Sequence, residues 1–505
     1  DCANPPSCTQ AAFHIKAKLT TYIAPNTTFH VVRTDKSGKL LPASADFVYA
    51  SPPQPQEPGS FTATEPQFGQ VSLTWSTVQN VTGYLVNEKG STAPPAQVPA
   101  QSTAYQSATL FKNLSPGFHT YQIASAYGYP VPAVGLPEAS VLVHAVPPPH
   151  SVPFLTKNNG AGSEAAYRAH IGRIAQVVRH YDPANLALQD LSKALDEGVV
   201  RAVQVPAALY ANVTDLGLGR SVACWEWWWH GNLTAIDCLA SNHGLPPGAA
   251  TPNLPELIAA TSARSAASVG WIHFAVGSRE MTFMNFLPAN GAGVFSNPLV
   301  TGNWDGWKSS SSTTLDDEGA KYLPHACLTC HGGTYDASTN VVTGATFLPV
   351  DPAQVAFSNQ PGSDRGSSEA AIRAINASIV DAKPPQAVAD YISGLYNGNV
   401  TTPGTIAQSS YVPPGWAQQA DLFKNVVKPD CLMCHLASPP SLVFDSADKF
   451  FANKAAIYAD VCVAHSMPNA QVPYNHLWSS LGPSGSVKDG PAAVLMAALG
   501  YNSCP

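Results

Sequence analysis

The sequence predicts a multidomain chain with an all-β N-terminal part, a mixed helical and irregular middle region and two mainly α units toward the C-terminus. Three observations carry this. Apolar and polar residues alternate with period two through much of the first 147 residues. From Ser163 the apolar positions recur at three and four residues instead. Finally, two Cys-x-x-Cys-His runs, Cys327-Leu-Thr-Cys330-His331 and Cys431-Leu-Met-Cys434-His435, lie 104 residues apart, about one small helical domain each.

Composition limits the rest. The chain has 505 residues, of which 12% are charged, with 45 Pro and 37 Gly, a mixture that suits a loop-rich secreted protein. A formal net charge of -7 leaves no basic stripe, which argues against nucleic acid and anionic membrane as partners. No apolar run approaches ~20 residues, so no transmembrane segment is expected. No signal peptide pattern is visible, and the chain reads as starting at a mature or trimmed N-terminus.

In chain order, residues 1–51 read as a small β element, on the alternation in Phe13-His-Ile-Lys-Ala-Lys-Leu and Thr28-Phe-His-Val-Val. The proline-rich stretch from Pro52 to Pro58 is a stiff linker. Residues 59–147 contain Val71-Ser-Leu-Thr-Trp75, Val81-Thr-Gly-Tyr84-Leu-Val86 and Leu114-Ser-Pro-Gly117-Phe-His-Thr-Tyr121-Gln-Ile123. This segment resembles a fibronectin type III domain. The resemblance implies a β-sandwich with Trp75 in the core and the Tyr121 hydroxyl tied back to the backbone at a corner. Residues 152–320 form a mixed helical and β region expected to sit on the first of the two later units. There Tyr167, Ile171, Ile174, Val178 and Tyr181 make one helical stripe. Asp182-Pro183 starts a second helix that Gly198 stops. Residues 321–410 and 411–505 then hold one Cys-x-x-Cys-His run each. Ala387 to Leu395 reads as a helix closing the first of these units, and Ala417 to Val427 as one opening the second.

Cys-x-x-Cys-His is the attachment site of c-type haem. Two thiols one helical turn apart reach the porphyrin vinyl groups as thioethers, and the following imidazole becomes the proximal iron ligand. Cys327, Cys330, Cys431 and Cys434 are therefore the expected anchors of two covalent haems, with His331 and His435 on the irons. The competing chemistry is a four-thiolate zinc site or a redox dithiol. Zinc-ribbon pairs sit ~15–20 residues apart, far closer than these.

Sixth ligands are less evident. For the second haem the candidate is Met467, in His465-Ser-Met467-Pro, with His465 and His476 competing. A His/Met pair raises the reduction potential because the thioether favours ferrous iron. For the first haem the candidates lie upstream: His230, His243, His273 and His325, with Met281 and Met284. Six cysteines remain. Their sequence-local pairing is Cys2–Cys8, Cys224–Cys238 and Cys462–Cys504, with free thiols as the alternative.

Residues 180–480 carry a wider set of runs. These are Thr214-Asp-Leu-Gly-Leu-Gly-Arg220, Ile236-Asp-Cys238-Leu-Ala-Ser-Asn-His243-Gly, Leu323-Pro-His-Ala-Cys327, Phe347-Leu-Pro-Val-Asp351, Tyr411-Val-Pro-Pro-Gly-Trp416 and Val461-Cys462 ahead of Met467-Pro468. Together they resemble a family of secreted bacterial dihaem c-type cytochromes of uncharacterised activity. The resemblance implies two cytochrome c-like haem domains and two haem c groups, but no substrate. The family often carries Met-His before the cysteine at position 224. This chain has Ser221-Val-Ala-Cys224, which argues against a ligand from that place. Arg220 is a candidate partner for a haem propionate, and Gly332-Gly333 permit a close backbone approach. The function expected is electron transfer in the periplasm or outside the cell, with redox proteins as partners. One alternative is a peroxidase-like or oxygenase-like enzyme with a five-coordinate first haem. Another is a surface or filament cytochrome, wired between subunits and self-associating through its fibronectin-like part.

Overall fold

The computed structural model describes residues 56–106, 111–127, 136–155, 200–243, 268–288, 307–358 and 364–504, with short pieces within 28–48 and 166–170 and at 265–266, 295–296 and 361. Cys2, Cys8, most of the helical pattern over 163–198 and the linker at 52–55 lie outside them. The chain divides into two compact units, Asp1–Leu114 with Phe118–Val143, and Ser115–Gly117 with His144–Pro505. Each is taken by itself.

In the first unit, Thr28–His30 pairs with Asp46–Val48 and Arg33–Thr34 with Leu40–Leu41, both antiparallel. The rest is a sandwich of two antiparallel sheets. Strands β1 (Thr62–Gln67), β2 (Gln70–Thr74) and β5 (Ala104–Tyr105) form one sheet. Strands β3 (Gly83–Glu88), β4 (Ala96–Pro99), β6 (Gly117–Ala126) and β7 (Glu138–Val143) form the other, in the order β7-β6-β3-β4. Alternation puts every second residue inside. Val71, Leu73 and Trp75 from one sheet meet Tyr84, Val86 and Ile123 from the other in a single apolar cluster. Trp75 packs edge-on to Tyr84, with ring centroids 5.4 Å apart, and Phe111 to Tyr121 at 4.8 Å.

The tyrosine tie is made by a different residue from the one expected. Among the described residues the buried Tyr121 hydroxyl has no hydrogen-bond partner, and burial raises its pKa far above the ordinary phenol value. It is the Tyr84 hydroxyl that accepts from the Val78 N–H, at 2.8 Å.

The second unit is built on a long antiparallel meander. Strands β8 (Val200–Asn212), β9 (Leu218–Trp229), β10 (Asn232–His243), β11 (Ser268–Ala275) and β12 (Glu280–Pro288) are neighbours in that order. The short β13 (Trp307–Ser310) also pairs with β12. Pro206 has no N–H to donate to the ladder, and the β8–β9 register shifts between Val205 and Ala208. Both faces are covered, so β9 reads as a near-continuous buried run. One face, with Val222, Cys224, Ile236 and Phe283, shares a core with the helices. The other collects Trp225, Trp227, Trp271 and Phe286 around Tyr167.

A hairpin of β14 (Ser312–Thr314) and β15 (Ala320–Tyr322) leads into helix α1 (His325–His331), which holds the first Cys-x-x-Cys-His run. Strands β16 (Thr334–Asp336) and β17 (Val341–Thr343) then complete the eight-stranded sheet. Helix α2 (Arg365–Asp381) lies on the sheet and α3 (Gln386–Leu395) beside it. Helical turns from Pro414 to Asp430 pass through a π-helical turn, Phe423–Val427, and deliver the second run to α4 (Leu432–Leu436). Helices α5 (Ala447–Ala452), α6 (Gln471–Ser479) and α7 (Pro491–Leu499) close the unit. One apolar core runs from the sheet through α2 and α3 to α7.

Replacing Tyr121 by Phe removes a hydroxyl that has no partner, so the first unit is expected to keep its stability or gain up to about 1 kcal/mol. Denaturant unfolding followed by tryptophan fluorescence measures this. A loss of more than about 1 kcal/mol would show that the hydroxyl is bonded after all.

Candidate paired Cys-x-x-Cys-His site

Each Cys-x-x-Cys-His run occupies a short helix, which places its two thiols and its imidazole on neighbouring turns. In both runs the imidazole is fixed from behind. His331 Nδ1 lies 2.8 Å from the Thr346 carbonyl oxygen and His435 Nδ1 lies 2.7 Å from that of Leu442. A carbonyl only accepts, so each Nδ1 carries the proton and each Nε2 keeps its lone pair. A metal-ligating histidine commonly has this tautomer, with its other ring N–H donated to a main-chain carbonyl. Burial pulls the His331 pKa down to about 4, with the Arg220 charge adding to the effect, so the ring stays neutral. Burial also lowers His435, whose ring stacks on Phe444 at 3.9 Å and 5°.

The thiols are equally specific. Burial pushes Cys327 up to about 12 and raises Cys431 further, which disfavours their thiolate forms. Among the described residues no three His, Cys, Asp or Glu side chains converge as a metal cage requires.

Although far apart in sequence, the two runs are neighbours in space. Cys434 Sγ lies 3.2 Å from Cys330 Sγ. Gly332 has φ +67°, and a Cβ there would stand 2.0 Å from the Ala437 carbonyl oxygen; only glycine admits this crossing. Gly333 makes a second close approach, to the Ala345 backbone nitrogen at 2.4 Å from an ideal Cβ. A buried ion pair ties the flanks of the two runs: Lys428 Nζ lies 2.7 Å from Asp351 Oδ2, which also accepts from the Tyr391 hydroxyl at 2.7 Å. From α2, Asn376 clamps Val350 through both its N–H and its carbonyl.

Beside the first run is a cavity of ≈ 240 Å³. Cys327, Cys330 and His331 line it on one side and the run from Phe347 to Asp351 on another. The sheet contributes Tyr210, Arg220 and Asn242, with Arg220 Nε donating to Asn242 Oδ1 at 3.1 Å. Asp215, also in the lining, is raised by burial against the opposing pull of Asn212 and Arg220. These residues could hold a flat, largely apolar cofactor with anionic edges, and Arg220 is the cation available to such an edge. Sequence reasoning singled out the two Cys-x-x-Cys-His runs and Arg220. It missed Tyr210, Asn242 and Lys428, which come from distant segments, and the Thr346 and Leu442 carbonyls, which no residue type encodes.

The upstream ligand candidates fare differently. His273 is on β11, two residues from Trp271, with Nδ1 2.8 Å from Asp237 Oδ1, and is not among the described residues that line the cavity. Asp237 also accepts from Trp227 and Trp271. His273 is thus held by the buried carboxylate of Asp237. His230 is exposed at the β9–β10 turn with φ +45° and does not line the cavity. The His243 side chain lies outside the described residues. His331 is the one histidine among the described lining residues. Met467 is 38% exposed on a loop whose N–H groups, from Ser466 and Met467, bond the Asp460 carbonyl. His476 is engaged with Asp430, Nδ1 to Oδ1 at 2.6 Å, and His465 packs edge-on to Trp478. Cys224 and Cys238 face each other across β9 and β10, with Cα atoms 4.1 Å apart, and are disulfide-bonded. Cys462 is bonded to Cys504.

No protein-family model matches the chain, and no curated protein does. Solved structures match a small part of it. A computationally redesigned β-sandwich protein is 17% identical with a TM-score of 0.16, covering 19% of this chain and 96% of that one. The FN1-FN3 domains of chicken CNTN1 are 19% identical with a TM-score of 0.17, covering 24% of this chain and 44% of that one. The fn3 domain of human contactin 1 is 16% identical with a TM-score of 0.16, covering 20% and 93%.

The His273–Asp237 pair makes a pH prediction. Burial lowers the His273 pKa, but the hydrogen bond and charge of Asp237 outweigh it and leave it raised above 6.5. A raised folded-state value means a contribution present below the unfolded value and lost as pH rises through the folded one. Stability should therefore fall between about pH 6 and 8, and His273→Gln should show a shallower fall over that window in thermal unfolding. Equal slopes in the two proteins would refute the pairing.

Proposed function

We propose that this chain is a dihaem c-type cytochrome that carries electrons outside the cytoplasm. Cys327 and Cys330 would hold one haem and Cys431 and Cys434 the other, with His331 and His435 as proximal ligands. The observation behind the reading is the duplicated back-bonding of His331 and His435 to main-chain carbonyls at the ends of Cys-x-x-Cys-His helices. It prepares two imidazoles, each with its Nδ1 engaged and its Nε2 left beside two thiols of the same run. Bound there, haem supplies one-electron ferric–ferrous chemistry. The protein's part is to fix each imidazole, exclude water with the Phe347–Asp351 run and offer Arg220 to a propionate. Two disulfides in the second unit support an oxidising compartment. Among the described residues no helix is long and apolar enough to cross a membrane. Redox proteins are the partners this reading calls for, and surface attachment or self-association through the sandwich is its extension.

A second reading, catalysis at the first site, is favoured by one observation: its described lining brings the polar groups of Tyr210, Arg220 and Asn242 to the cavity beside His331. Cyanide separates the two readings. A high-spin ferric signal that cyanide abolishes supports an open coordination position, and an unchanged low-spin spectrum supports electron carriage.

The intact protein, produced with a c-type haem attachment system, should weigh more than its polypeptide by two haem groups and show a sharp α band on reduction. Cys327→Ala with Cys330→Ala should remove one of the two. A mass equal to the bare polypeptide sinks the proposal. Met467 remains the candidate sixth ligand at the second site. Its replacement by Ala should lower one of two reduction potentials, since a thioether favours ferrous iron.

A further inference from the structure

The contact between the two runs goes beyond what two separate electron carriers need. Cys330 and Cys434 are the second cysteines of their runs, and their sulfurs are 3.2 Å apart. The helices that carry them meet at Gly332 and Ala437 with no room for a side chain. Met433, at the centre of the second run, lines the cavity beside Cys327, Cys330 and His331 of the first. The buried Lys428–Asp351 pair holds the approach to the second run against the wall of that cavity. All four features hold the runs, or the segments flanking them, together.

We propose that the two Cys-x-x-Cys-His sites form one electronically coupled centre, in which Cys330 and Cys434 hold the edges of two haems against each other. This rests on the haem reading above. A thioether sulfur bonds directly to the carbon carried on the porphyrin edge, so sulfurs in contact bring two such edges to the same place. Charges that close in a water-poor interior interact strongly, and an electron on one site disfavours a second on its neighbour. The centre would fill in two separated steps rather than as two independent equivalents.

Circular dichroism in the Soret region tests this without any activity assay. Mass measurement first establishes two haems on the intact protein and one on each of two variants, Cys327→Ala/Cys330→Ala and Cys431→Ala/Cys434→Ala. The intact protein should give a bisignate couplet that the summed spectra of the variants do not reproduce, and its redox titration should span a wider range than their two curves superposed. A spectrum equal to the sum overturns the coupling while leaving the haem reading intact; a mass without haem overturns both. Should a variant fail to fold, electron paramagnetic resonance of the wild type decides. Ferric lines that sharpen on half-reduction support coupling, and lines unchanged in width refute it.

Discussion

The close crossing of α1 and α4 is the constraint on which the second unit depends. Gly332 lies against the Ala437 carbonyl, and the Cys330 and Cys434 sulfurs are in contact. A β-carbon at position 332 would overlap a backbone oxygen, which cannot swing aside as a side chain can. The residues on either side must therefore be delivered with little tolerance, and the surrounding structure does this. Lys428 and Asp351 neutralise each other in the interior, Tyr391 takes a remaining lone pair of the carboxylate, and Asn376 satisfies both polar groups of Val350. A buried ion pair contributes little net stability but tolerates no misplacement, which suits a device for setting position.

The large sheet has a related role. It is covered on both faces, so each strand serves two environments. Even positions of β11, such as Phe274, contribute to the core shared with the helices. Odd positions, Trp271 and His273, belong to a tryptophan-rich face organised around Asp237. One buried carboxylate there accepts from two indoles and an imidazole, so three polar groups in an apolar layer are satisfied by a single acceptor. The cross-strand Cys224–Cys238 bond lies on the face shared with the helices, at a point where opposed Cα atoms are already close.

Much of the proposed site was legible from residue types. The spacing of Cys327, Cys330 and His331, repeated at Cys431, Cys434 and His435, names its own chemistry, and a glycine pair after the first imidazole signals a close approach. The identity of the approaching chain was not legible, because it is the backbone at Ala437, in the segment that carries the other run. The partner of His273 could not be read from the sequence for a simple reason. A histidine in a strand points to one of two faces, and the sequence of an aromatic run buried on both sides lacks the polar alternation that would tell which. Tyr121 failed similarly: tyrosines 84 and 121 are both inward-facing in the sandwich, and only the position of the Val78 N–H decides which hydroxyl is bonded.

Local chemistry belongs to the sequence alone: which thiols sit one turn apart, which imidazole follows them, where period-two strands give way to helices. These depend on neighbours along the chain, within a few residues and a few ångströms. Adjacency of the two runs, the face of each strand, the carbonyls behind His331 and His435 and the company of Arg220 depend on chain paths that close only when the core forms. Long-range packing therefore decided them, since main-chain acceptors and buried lone pairs leave no mark in residue identity.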